Sequence, residues 1–342
     1  MDVTTGREPS MFDVAKLAGV SHQTVSRVLN GHTNVKEATR LRVRTAIAEL
    51  GYRPNRAARA LATGQSRTLG VVAPRSTLYG PASLLAAFEE TAGAAGFAVS
   101  VSRVRTFETA AVQLAVTALL DQRVSAIAAI VPVRGAAEAL ADLPSGTPLV
   151  TIDGPLSTAA TTATAAASTV AVDQRQGGRL ATRHLLDAGH STVWHVSGPQ
   201  DWFDAAGRTE GWAAVLREEG RTVPPPVPGD WTAASGYRAG QLLGRMPEVD
   251  AIFVANDAMA LGVLHALHEL GRRVPEDVSV VGFDDVPESA HYIPPLTTVR
   301  QDFEAVATGA VGVLLEQLEG SDRPADQVVT PTLVERSSVA RR

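Results

Sequence analysis

Two sets of side chains in this 342-residue chain have the types and spacing to do chemistry. The first is His22, Gln23 and Arg27, three long polar residues in the short stretch Ser21–Gly31. Arg and Gln suit two-point hydrogen bonding to guanine and adenine edges in a major groove. The second set lies just beyond apolar runs far down the chain: Asp153, Asn256-Asp257 and Asp284-Asp285, joined by Arg208 after the loop Gly198–Gly207 and by Trp231 after Gly229-Asp230. Carboxylates, an amide, a guanidinium and an indole face are what a sugar needs, paired hydrogen bonds to hydroxyls and stacking on ring C–H groups. A simpler reading stands beside each. A carboxylate after a strand often only caps the next helix, and Asp257 reads as the cap of a helix starting at Ala258.

The elements that must position the first set are helical. In Phe12–Val20, Val14, Leu17 and Ala18 share a face; in Ser21–Gly31, Val25, Val28 and Leu29 do. Apolar spacing of three and four is the period of an amphipathic helix. Ser10 with Asp13 forms a capping-box start, Gly19 supplies the tight turn, and Ser21 can cap the second helix. Two helices joined so briefly form a helix-turn-helix, whose second helix enters the major groove. A third helix, Thr39–Leu50, carries Val43, Ile47 and Leu50 on one side. The spacing alone also fits an αα-hairpin of no special role.

The second set needs a different scaffold. Strand patterns at Leu69–Ala73, Phe97–Val104, Ala126–Val131 and Leu149–Asp153 alternate with helical stretches Pro81–Ala95, Phe107–Gln122 and Ala136–Leu143. A second series has strands Thr169–Asp173, Val193–Ser197, Ala251–Ala255 and Val278–Phe283, separated by Gly177–Ala188, Arg208–Glu219, Ser235–Arg245 and Ala258–Leu270. Two βα series in succession predict two doubly wound parallel sheets, with ligands outside the carboxyl ends of the strands. On this pattern Arg208 opens its helix. Ser157–Thr169 is almost all Ala, Thr and Ser and carries no functional signal.

Charge separates the two parts. Residues 1–65 hold ten Lys and Arg against five Asp and Glu, a balance of +5 in a chain of net charge −5, so the remainder carries −10. A basic head on an acidic body suits phosphate contact at one end only. Without Cys the chain has neither disulfides nor thiolate metal sites. Met1–Pro9 is polar, not the start of a signal peptide, and no apolar run is long enough to span a bilayer, which predicts a cytoplasmic protein with no membrane partner. No G-x-S-x-G elbow and no P-loop lysine motif is present, so an enzyme is disfavoured. His265 and His268 lie three apart with no carboxylate or Cys to join them and read as surface or satisfied histidines, so no metal site is expected.

AKLAGVSHQTVSRVLNG (Ala15–Gly31) followed by AELGYRPNRAARALATGQSRTLGVV (Ala48–Val72) closely resembles the LacI/GalR repressor family. The resemblance continues through GDWTAASGY, VANDAMALG, SVVGFDD and YIPPLTTVRQDF and covers Ser10 to Val339. It implies an α/β fold: a small all-α helix-turn-helix headpiece plus a two-lobed periplasmic-binding-protein-like core. The implied segments are a disordered 1–9, a headpiece 10–53, a hinge helix and linker 54–66, and a core 67–342. Lobe one takes about 67–172 plus 303–330, and lobe two about 173–299 plus 331–339.

The same resemblance implies a sugar-responsive repressor that binds a pseudo-palindromic operator in double-stranded DNA as a homodimer and takes no cofactor. The inducer is a small sugar, a galactoside or another disaccharide. The alternative is a regulator whose ligand strengthens DNA binding, and a sugar receptor ranks below both. His22, Gln23 and Arg27 read the half-site. Ser21, Thr24, Ser26, Asn30 and Lys36 touch phosphate or packing, with Lys36 standing where the family caps a helix. In the hinge, Asn55, Arg56 and Ala58 contact DNA and Leu61 wedges the minor groove, since an eight-residue helix needs DNA to hold it. Effector contacts fall on Leu78, Pro81, Leu84, Asp153, Trp202, Arg208, Trp231, Asn256, Asp284, Gln301 and Phe303. Thr106 and Ile130 stand where the resemblance would put Arg and Asn, and Trp202 and Asp204 replace small polar residues. The dimer face is expected on Pro81–Ala95, with its Leu84, Leu85 and Phe88, and on the helix after Asp257. No heptad repeat follows, so a dimer rather than a tetramer is predicted.

Overall fold

A computed structural model describes residues 9–29, 34–52, 66–106, 108–130, 132–133, 140, 146–154, 168–321 and 326–342. Asn30, the hinge with Asn55, Arg56, Ala58 and Leu61, most of Ala136–Leu143 and most of Ser157–Thr169 lie outside the described residues, as do residues 1–8. The chain divides into two compact units, Met1–Ser66 and Arg67–Arg342.

Among its described residues the first unit holds three helices: α1 (Met11–Ala18), α2 (His22–Leu29) and α3 (Glu37–Leu50). Ser10 and Asp13 form the reciprocal capping box, with the Ser10 amide 2.8 Å from Asp13 Oδ2. Gly19 closes α1 at φ 63°, a left-handed conformation that costs glycine little. Ser21 Oγ accepts the Thr24 amide at 3.2 Å, so α2 is capped as its sequence predicts. The small core is Val14, Ala15, Ala18, Val25, Val28, Val43, Ala46 and Tyr52. Leu17 departs from expectation and is half exposed, because Ala15 takes the inward position where α1 crosses its neighbours.

Among its described residues the second unit contains two six-stranded sheets. In lobe one, β1 (Thr68–Pro74), β2 (Ala98–Val104), β3 (Ala126–Ile130), β4 (Leu149–Ile152), β5 (Ser168–Val172) and β11 (Gln327–Val329) run parallel in the order β11-β5-β4-β3-β1-β2. Helices α4 (Tyr79–Ala94), α5 (Thr109–Asp121) and α10 (Phe303–Leu318) cover it. In lobe two, β6 (Trp194–Ser197), β7 (Val227–Pro228), β8 (Ala251–Val254), β9 (Ser279–Asp284), β10 (Thr297–Arg300) and β12 (Thr332–Val334) take the order β12-β10-β9-β8-β6-β7. Only β12 is antiparallel to its neighbour. Its helices are α6 (Gln174–Asp187), α7 (Phe203–Glu218), α8 (Ala233–Leu243) and α9 (Asp257–Glu269). The chain crosses between lobes at Asp173, at Gln301-Asp302 and at Thr330-Pro331.

The helices of lobe two pair by backbone approach. An added Cβ at Gly178 would lie 2.3 Å from the Arg208 carbonyl oxygen, and one at Gly236 would lie 2.0 Å from that of Met259. These contacts fix α6 on α7 and α8 on α9, and with them the height of every side chain those helices offer the cavity. Leu84, Leu85 and Phe88 of α4 are buried in the core of their own lobe, so this part of the helix's apolar surface covers its own sheet.

Candidate functional site

A cavity of about 40 Å³ opens at the carboxyl ends of the strands, between the two lobes. Lobe one contributes Leu78, Tyr79, Gly80, Pro81, Ile130, Pro132, Asp153 and Phe303; lobe two and the second crossing contribute Trp202, Asp204, Arg208, Trp231, Asn256, Asp284 and Gln301. Ten of the eleven residues expected to meet an effector therefore line one space. The eleventh, Leu84, does not: one turn into α4 its side chain faces the sheet, and only the helix start reaches the cavity. Thr106 is exposed and takes no part in the lining, whereas Ile130 does. Sequence reasoning missed Tyr79 and Pro132. Tyr79 meets Phe303 edge-on at 6.1 Å.

Arg208 is the centre of the polar side. It is only 2% exposed and sits in the second turn of α7, which begins at Phe203. The expectation that Arg208 opens the helix is thus corrected. Trp202 occupies the N-cap position with no side-chain cap bond, so the usual sequence signal for a helix start is missing. The guanidinium lies 3.7 Å over the ring of Phe283 and 5.5 Å from that of Trp231. Its Nε donates to Gln174 Oε1 at 2.8 Å, and one terminal nitrogen donates to the Ala255 carbonyl. Gln174 Nε2 donates to Gln301 Oε1 at 2.9 Å, and Gln301 Nε2 to Asp284 Oδ1 at 2.7 Å. Gln174 has no motif around it; only its place beside the first crossing could have drawn attention. The nearest oxygens of Asp204 and Asp284 both stand 3.7 Å from the guanidinium, beyond hydrogen-bond reach.

Burial decides the electrostatics. It pushes the Asp284 carboxyl up to about 6, opposed by Arg208 and by the bond from Gln301. Burial first and the Asp204 charge second raise Asp153 well above the ordinary carboxylate range. Asp204 is raised by burial against the pull of Arg208. Asp153 Oδ1 and the indole Nε1 of Trp231 are buried without a hydrogen-bond partner. A buried polar atom left unpaired costs free energy unless a ligand or water meets it. Asp153, Trp231 and Asp284 also hold positive φ values of 56°, 71° and 109°. Strained backbone concentrates where surrounding structure must aim a side chain.

Asn256, not Asp257, caps α9: its Oδ1 accepts the Met259 amide at 2.9 Å, and its Nδ2 donates to the Trp231 carbonyl at 3.2 Å. Asp257 is the first helical residue and fully buried, where it accepts from the Val286 amide and the Thr298 hydroxyl. Burial pushes its carboxyl up to about 8. The cavity is closed on one side by main chain. Phe203 N donates to the Pro132 carbonyl at 2.9 Å, Val133 pairs with Trp202, and the Trp202 ring meets Trp231 edge-on at 5.7 Å.

In the first unit, His22, Gln23 and Arg27 are exposed on α2 while Val25 and Val28 face inward. Ser21 is exposed; Thr24 and Ser26 are half-buried. Lys36 is exposed at the N-cap of α3 and gives no side-chain cap, as its replacement of a capping residue predicts. The His22 ring stacks on Phe12 at 5.2 Å, and Phe12 is 68% exposed. Sequence reasoning missed that apolar ring beside the residues expected to read DNA; a large aromatic on the polar side of α1 was its signal.

No cluster of three metal-binding side chains occurs among the described residues. His265 has a carboxylate neighbour after all, Glu269 at 3.3 Å, and both are exposed. No described helix is long and apolar enough to cross a membrane.

Residues 10–55 match the model for bacterial regulatory proteins of the lacI family, and residues 182–339 match the periplasmic binding protein-like domain. The chain is similar to the lactose operon repressor of Escherichia coli K12, with 36% identity over 96% of this chain and 90% of that protein. It superposes on a lac repressor dimer bound to operator and the anti-inducer ONPF with a TM-score of 0.85, 35% identity, and coverage of 98% of this chain and 100% of that one. A complex of the transcriptional regulator CelR with cellobiose matches with a TM-score of 0.72 and 32% identity over 96% of this chain and 99% of that one.

Proposed function

The chain belongs to the lacI family of bacterial regulatory proteins, and on that premise we propose that it is a cytoplasmic, sugar-responsive transcriptional repressor. As a homodimer it binds a pseudo-palindromic operator through α2 and is released when a small sugar fills the cavity between its lobes. The observation that carries this reading is the pairing of one polar-lined cavity at the strand ends with an exposed reading face on α2. Gln23 and Arg27 read base edges and Lys36 meets phosphate. The hinge 54–66 connects the two units and Leu61 is its minor-groove wedge. Arg208, Asn256 and Asp284 hold sugar hydroxyls, with Trp231 and Phe303 against the ring faces. A dimer is needed because two half-sites and two hinges must meet at one operator. Effector and operator oppose each other only if the sugar prefers the conformation that has let go of DNA.

Selection of duplexes from a random pool by the full chain tests this directly. The expected result is an inverted repeat bound by two chains. Arg27→Ala should relax one base pair in each half-site at a cost of about 1–3 kcal/mol, while Lys36→Ala weakens all sequences alike. Equal loss on operator and random DNA for Arg27→Ala contradicts the assignment of α2.

A further inference from the structure

The cavity is more acidic than a neutral sugar requires. Among its described lining residues are three carboxylates, Asp153, Asp204 and Asp284, and a single cation, Arg208. That cation is already committed. Its Nε and one terminal nitrogen are hydrogen-bonded to the neutral oxygens of Gln174 and Ala255, and both nearest carboxylate oxygens stand 3.7 Å away. The carboxylates thus face the cavity with most of their acceptor capacity unused. Asp153 Oδ1 has no hydrogen-bond partner at all.

A second, independent feature fixes what kind of molecule this is. Trp231, 6% exposed, lines the same space with its ring, and its Nε1 lacks an acceptor. An indole face beside an unfilled N–H donor suits a saturated ring that carries hydroxyl oxygens. A surplus of buried carboxylate suits a donor that brings positive charge, because an ion left uncompensated at low dielectric is far costlier than a paired one.

We propose that the effector of this cavity is an amino sugar whose ring ammonium is received by Asp153 and Asp204, with Asp284 and Arg208 left to hold hydroxyls. The inference rests on the sugar-responsive reading above and narrows it. Burial raises all three carboxyls, so each holds a proton more readily than an exposed carboxylate does. An ammonium takes the place of such a proton. A charge-assisted hydrogen bond is about twice as strong as a neutral one, so the amino group should gain roughly tenfold in affinity.

The test is calorimetric titration of the full chain with glucosamine, N-acetylglucosamine and glucose, with the matching galacto series, and with the β1,4-linked disaccharide of each. The acetylated sugar keeps the nitrogen and loses the charge. The expected result is that one amino sugar binds about tenfold or more tightly than both its acetylated and its hydroxyl counterparts. In Asp204→Asn, and in Asp204→Ser, that preference should collapse toward parity. If the acetylated or hydroxyl sugar binds as tightly as the amino form, the proposal is overturned and the sugar-responsive reading stands. If no sugar of either series binds while the protein still selects DNA, both fall. The wild-type ranking decides the matter even where a variant folds poorly.

Discussion

The two lobes have nearly the same topology and contribute opposite chemistry to the cavity between them. Lobe one presents Leu78, Pro81, Ile130, Pro132 and Phe303, a wall of shape with Asp153 and the Tyr79 hydroxyl as its polar points. Lobe two presents Asp204, Arg208, Asn256 and Asp284 with two indoles, and Gln174 and Gln301, at two of the three crossings, hydrogen-bond Arg208 and Asp284. Arg208, Asn256 and Asp284 are therefore oriented before any ligand arrives, whereas the opposite wall, Asp153 apart, closes on it by shape. Such a division suits a molecule that reports a ligand by lobe movement. One jaw holds most of the recognising groups, and the other supplies shape and Asp153.

The largest effect should come from removing the centre of the recognising jaw. Arg208→Ala leaves Gln174, Asp204 and Asp284 facing an uncompensated gap, and effector affinity should fall by about 2–5 kcal/mol, roughly 30-fold to several thousand-fold. Calorimetry reads this directly, and a change under threefold would erase the proposed asymmetry.

Next is the buried acid that supports the same jaw. Asp257 has its carboxyl pushed up from 3.8 to about 8, chiefly by burial. The folded state therefore keeps a proton that the unfolded chain has released, and stability should fall as pH rises from about 4 to about 8. In Asp257→Asn the amide can still accept from Val286 N and donate to the Thr298 hydroxyl, so this part of the slope should flatten. Urea unfolding at a series of pH values checks it; an unchanged slope means that Asp257 ionises inside the fold.

A smaller effect is expected from Gly178→Ala, whose Cβ would meet the Arg208 carbonyl and push α7 away from α6. Overpacking of this kind costs about 1–3 kcal/mol, visible as a lowered thermal midpoint together with weakened effector binding. The smallest belongs to the shape-giving jaw. Phe303→Leu removes the edge contact with Tyr79 and should cost about 0.5–1.5 kcal/mol in effector binding. A loss as large as that of Arg208→Ala would make the two jaws equals.

Much of this was legible in the sequence where local rules agree with the fold. The headpiece helices announce themselves through Ser10, Asp13, Gly19 and Ser21, and each of those caps and turns is present. Central parallel strands such as β3 and β9 are buried along their whole length because both faces of the sheet are covered there. Misreadings arose where tertiary contacts overrule local signals. Helix α7 begins without a capping residue, so the sequence pattern puts Arg208 at its start instead of one turn in. Asn256 serves as cap and cavity wall together, and Asp257 is drawn inward by Val286 and Thr298. The strands β7, β11 and β12 have two or three residues each, too few for a periodic pattern. Helix α10 is capped by Asp302 and richly apolar, yet was not singled out among the βα units because it follows the second crossing and returns to lobe one. Gln174 carries no motif; its importance exists only once α6, α7 and the second crossing meet.

The central claim is that the cavity governs the hold on DNA. Fluorescence anisotropy of a labelled duplex, chosen by selection with the wild-type chain, measures it when titrated with the sugar that chain binds most tightly. Wild type should release the duplex as the sugar rises. Arg208→Lys should bind the duplex equally well and fail to release it, since an ammonium cannot reproduce the planar fork that meets Gln174 and Ala255. Release of Arg208→Lys at the wild-type sugar concentration would contradict the account.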